Sequence, residues 1–175
     1  MRNQTRQLVF SGLFIAMGVV LPMVFHLFGG AGPVFLPMHL PVLIAGLVLS
    51  PVYALGVGAL TPILSSLLTG MPPVYPILVI MVFELACYGF VMSLLVHKYR
   101  WNVYLALITS MIVGRVVAAL VVAILIAGFN LQFMQPIPYF MSAISTGILG
   151  IVLQLLIVPA CGYLLKKYMP EFEVA

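Results

Sequence analysis

Apolar residues fill this chain in long blocks, and polar residues stand almost only where one block ends. The first block runs from about Leu8 to Phe28 and stops at Gly29-Gly30-Ala31-Gly32-Pro33. A shorter block follows from about Pro37 to Leu49, closed by Ser50-Pro51. A third runs from about Val52 to Leu68, closed by Thr69-Gly70-Met71-Pro72-Pro73. The fourth extends from about Ile77 to Val96 and ends at His97-Lys98-Tyr99-Arg100. The fifth, about Asn102 to Ala127, leads into the loop Asn130 to Pro138, and the sixth, about Tyr139 to Leu165, ends at Lys166-Lys167. Wound as α-helix, roughly 20 apolar residues match the hydrocarbon core of a bilayer, and Gly/Pro clusters break helices. The pattern therefore predicts an all-α integral membrane protein with six transmembrane helices.

Charge orients them. Arg2 and Arg6 precede the first block, Lys98 and Arg100 follow the fourth, and Lys166 and Lys167 follow the sixth. Cytoplasmic ends collect Lys and Arg. Six spans with both termini in the cytoplasm put all three clusters on that side, and the loops at Gly29, Thr69 and Asn130, which carry no charge, on the other. Merging the second and third blocks into one span would send Lys98 and Arg100 outside, against that rule.

Composition supports the same class. Of 175 residues 65% are hydrophobic and 6% charged, and the mean hydropathy is +1.29. A soluble domain of this size cannot hide so much apolar surface. No polar linker divides the blocks, so a single domain over 1–175 is expected. The net charge of +4 forms no basic face, which argues against nucleic-acid binding. Arg2 and Arg6 before an apolar run also suit a signal peptide. No small-residue cleavage site with a polar mature domain follows, so the run reads as a retained first helix. Cys87 and Cys161 lack metal or disulfide spacing and read as small buried hydrophobes.

Two charges fall inside the spans: Glu84 and Arg115. A charge in hydrocarbon costs at least about 2.5–3.5 kcal/mol, so neither should face lipid. At 1.5 Å per residue, Glu84 sits roughly a third of the way in from the outer end of the fourth helix and Arg115 near the middle of the fifth, within reach of it. Two roles stand open. The pair ties two helices together, or Arg115 receives an anionic group with Glu84 as its resting partner, since a guanidinium fork suits a carboxylate. His39 opens the short second helix, either as a helix-end hydrogen-bonding group or as a ligand contact. Asn130 and Gln132 suit either a solvated loop or a ligand. Tyr75 and Tyr139 stand near helix ends, where interfacial anchoring competes with a binding role. Met71, Met81 and Met141 suit packing or an adaptable lining. Ser142, Ser145 and Thr146 either bond back to their helix or face a site. Gly12-x-x-x-Ala16 makes a smooth strip on the first helix. The chain has no GxxxxGK[ST], no HExxH and no Asp at all, so neither ATP hydrolysis nor other enzyme chemistry is expected, nor a metal or cofactor.

The six-helix plan, the Gly12/Ala16 strip, and the run from Phe35 to Pro73 followed by FELACYG (Phe83 to Gly89) resemble the substrate-binding S-components of energy-coupling factor (ECF) vitamin transporters. The similarity spans nearly the whole chain. It implies a subunit of a bacterial cytoplasmic membrane that captures a small vitamin from outside. Such a subunit works with a transmembrane coupling subunit and two cytoplasmic ATPases, toppling in the lipid bilayer when it docks. Gly12 and Ala16 match the family's docking strip, with Gly in place of the usual first Ala. The resemblance puts the pocket at the outer loops and helices four to six, where Glu84, Tyr88, Arg115, Asn130, Gln132, Ser142 and Thr146 fall, with His39 and Tyr75 nearby. A buried Arg favours a carboxylate such as pantothenate or niacin, and the chain lacks the more polar signature that riboflavin-type members carry after the first helix. A ligand-free membrane scaffold of the cell-shape machinery is the competing reading.

Overall fold

The computed structural model describes residues 4–27, 32–129 and 133–168. Among them every regular element is helical: α1 (Gln4–Leu27), α2 (Gly32–Phe35), α3 (His39–Val48), α4 (Pro51–Thr69), α5 (Val79–Ser93), α6 (Val103–Phe129), α7 (Pro136–Thr146) and α8 (Ile148–Tyr168). Wider π-helical turns, Val74–Leu78 and Leu94–Lys98, extend α5 at both ends, with a kink at Tyr75. Among the described residues five stretches are long and apolar enough to cross a membrane: Gln4–Phe25, Pro51–Thr69, Val74–Lys98, Val103–Gly128 and Ile148–Tyr168. Their apolar residues point outward as well as inward. On α6, Leu105, Ile108, Ile112, Val116, Leu120 and Ile124 are all exposed, a stripe that only lipid suits.

Two sequence expectations change in form. The predicted second span is a shorter apolar segment, Gly32–Val48, broken at Leu36, which has a positive φ of 49°. The predicted sixth helix, Tyr139 to Leu165, is two helices, α7 and α8, separated at Gly147. The reason lies far away in sequence. Leu36 and the Phe35 backbone fill the space beside Gly147 and Gly150, so α2 wedges against the junction.

The core is built around α3, whose residues are nearly all buried, among them Val42, Leu43, Ala45 and Leu47. Its junction with α4 at Ser50-Pro51 is held from two sides. The Ser50 N–H donates to Gln7 Oε1 of α1 at 3.0 Å, and Ser93 Oγ of α5 donates to the Leu49 carbonyl at 2.6 Å. In a setting without water these bonds satisfy backbone groups that Pro51 and the helix break leave unpaired. Helices α4 and α5 approach backbone to backbone. A side chain at Gly58 would run into the Leu85 backbone, and one at Gly89 into that of Ala54. This close pair fixes the face of α5 that carries Glu84.

Candidate ligand-binding site

Helix α5 and the turn that precedes it line up Ile77, Met81, Glu84 and Tyr88 at spacings of three and four, so all four lie along one side. Glu84 and Tyr88 are buried, and the Tyr88 hydroxyl donates to Glu84 Oε1 at 3.1 Å. From α6, Arg115 Nη1 donates to the same oxygen at 2.7 Å. From the first turn of α3, the His39 imidazole packs against the Tyr88 ring with centroids 5.4 Å apart. Its Nε2 stands 3.8 Å from Glu84 Oε1, beyond hydrogen-bond reach, and among the described residues neither ring nitrogen has a hydrogen-bond partner. Three side chains, from α3, α5 and α6, thus gather around one carboxylate oxygen of Glu84.

His39, Glu84 and Arg115 form the polar floor of a cavity of about 1100 Å³. Small-molecule pockets run to roughly 1,000 Å³, mostly apolar with a few convergent polar groups. The walls fit that description. Pro22 of α1, Leu36 to Met38, Met71 to Pro73, Met81, and Phe133 and Met134 supply apolar surface. Tyr139, Ser142, Ala143 and Thr146 supply one face of α7, with the Tyr139 ring leaning on Phe133 at 5.8 Å between centroids. The strap Met71-Pro72 is tied down by the C-terminal turn of α4. Ser65 Oγ donates to the Met71 carbonyl and Ser66 Oγ to that of Pro72, both at 2.7 Å, and Thr69 Oγ1 accepts the Met71 N–H at 3.1 Å. Gly70, with φ of 73°, makes the turn that lets the strap fold back.

Of the residues singled out from sequence, His39, Glu84, Arg115, Ser142 and Thr146 line this cavity, as do Met71, Met81 and Tyr139. Tyr88 sits behind Glu84, not on the wall. Tyr75 and Met141 are exposed and outside the lining. Asn130 and Gln132 lie outside the described residues, as do 29–31 of the first loop. Sequence reasoning missed Pro22, Leu36, Phe133 and Met134, apolar residues that nothing in the sequence distinguishes from ordinary membrane-facing ones. Gly12 and Ala16 are exposed on α1, and the space beside Gly12 is open. Among the described residues no cluster of His, Cys, Asp or Glu suits a metal ion.

A mostly apolar cavity with a charged floor, set in a multi-pass helical membrane protein, defines a membrane-embedded binder of small molecules. The chain belongs to the family of ECF transporter, substrate-specific components, whose pattern residues 6–161 match. It is therefore a subunit that captures a substrate for transport. No curated protein and no solved structure matches the chain.

Proposed function

We propose that this protein captures a small carboxylate-bearing vitamin or cofactor precursor, such as pantothenate or niacin, outside a bacterial cytoplasmic membrane. It hands the molecule to an ATP-driven complex of a coupling subunit and two cytoplasmic ATPases. The observation that carries this reading is Arg115, a buried cation on the wall of a mostly apolar cavity, paired there with Glu84. A guanidinium has five N–H donors, so its bond to Glu84 leaves capacity for a second acceptor. A ligand-free scaffold has no use for such a cavity.

The topology that goes with this function is a single unit of six spans with both termini inside, the segment Gly32–Val48 serving as the short second span. Arg6, Lys98, Lys166 and Lys167 stand at helix ends remote from the cavity-lining Pro22, Met71 and Tyr139, which supports an outward-facing cavity under the positive-inside rule. The exposed strip at Gly12 and Ala16 is the proposed docking surface for the coupling subunit.

Mass spectrometry of small molecules released from the purified protein tests the assignment. A carboxylate-bearing vitamin is expected. A released ligand without an acidic group would overturn the carboxylate reading.

A further inference from the structure

The charges on the cavity floor balance within the protein itself. Glu84 and Arg115 cancel as a 2.7 Å pair. The other titratable groups facing His39 are the Tyr88 hydroxyl from α5 and, across the cavity, the Tyr139 hydroxyl from α7. Among the described lining residues, α1, α2, α4 and α8 contribute no titratable side chain. The His39 imidazole is buried to 3% exposure with neither nitrogen bonded among the described residues, so a charge placed on it would need a partner.

A carboxylate that reaches Arg115 must approach Glu84 as well. Two ionised carboxylates sharing one cation in a water-poor pocket leave a net negative charge there, and a like charge so close disfavours ionisation. Glu84 could take a proton only by weakening its bond to Arg115, and among the described lining residues His39 is the uncharged base able to correct this. His39 Nε2 is 3.8 Å from Glu84 Oε1, so an approach of about 1 Å turns the gap into a charge-assisted hydrogen bond once the ring is protonated. Its second nitrogen, also unpartnered, then gains a proton donor's role toward the ligand or the cavity.

We propose that a carboxylate enters this cavity together with one proton, which His39 takes up from solvent, so that the loaded site stays electrically neutral. The proton bonds to an imidazole nitrogen and no bond to the ligand is made or broken. The inference rests on the carboxylate reading above and deepens it: the substrate class is an acid plus a proton, or a neutral molecule alone.

The test is calorimetry on the purified protein with two matched pairs of probes, nicotinate against nicotinamide and pantothenate against panthenol. Each is run in two buffers of different ionisation enthalpy. An acid that binds is expected to take up about one proton, and its affinity falls about tenfold per pH unit between about pH 7 and about pH 8.5, because the bound state holds the extra proton. Its neutral partner shows neither effect. His39→Gln removes both uptake and slope. Binding of an acid by the wild type with no proton uptake overturns the inference and leaves the carboxylate reading standing. Uptake that survives in His39→Gln overturns the role of His39. If neither acid binds, the carboxylate reading falls and this inference with it.

Discussion

The Tyr88 ring occupies the space beside Gly114 where a side chain would stand, and the Tyr88 hydroxyl holds Glu84. Gly114 thus aims the carboxylate at its own chain neighbour, Arg115. In Gly114→Ala the added methyl pushes the ring, and overpacking is expected to lower stability by about 1–3 kcal/mol. Gly56 of α4 has open space around it, so Gly56→Ala should gain about 0.4–1 kcal/mol instead. Thermal unfolding of both variants in detergent checks this, and equal midpoints would refute it.

Arg115→Ala strands Glu84 without its cation. Breaking a buried pair from one side costs about 3–5 kcal/mol, and adding Glu84→Gln to the same chain should recover part of the loss. An anionic ligand should bind Arg115→Ala more weakly by at least about 1.5–3 kcal/mol. Unchanged affinity in a folded variant, measured by titration, rules Arg115 out as a contact.

The strap over the cavity rests on two hydroxyls. Ser65→Ala and Ser66→Ala each remove one 2.7 Å bond to its carbonyls and should cost about 0.5–1.5 kcal/mol. A looser strap lets a bound ligand leave several-fold faster, which stopped-flow measurement of dissociation reads. Ser145, exposed and bonded only to the Ser142 carbonyl among the bonds described, is the control, and Ser145→Ala should leave the rate alone.

Gly12→Leu with Ala16→Leu fills the open strip on α1. Co-purification of the coupling subunit from membranes carrying both proteins should fall, while ligand titration stays unchanged because neither residue lines the cavity. Undiminished co-purification would remove this strip from the docking surface.

The long spans were legible because a bilayer imposes one length and one polarity on every helix that crosses it. Glu84 and Arg115 were legible for the same reason, since a charge that cannot face lipid must face a partner. The division of the last segment at Gly147 was not. It depends on Leu36, a residue more than a hundred positions away that wedges into the junction. Most of the cavity wall was hidden as well. Pro22, Phe133 and Met134 are apolar residues in an apolar chain, and only the tertiary arrangement turns them inward. The orphan nitrogens of His39 belong to the same category: its position suggested an interest, but only packing shows that no described residue satisfies them.

Because Gly58 and Gly89 bring the α4 and α5 backbones into direct contact, these two helices cannot slide past one another without a clash. The strap and the Glu84 carboxylate ride on that pair, so one half of the chamber behaves as a fixed jaw. Entry and exit of a guest must then come from the opposite side, where α7 has no fully buried residue to hold it in place.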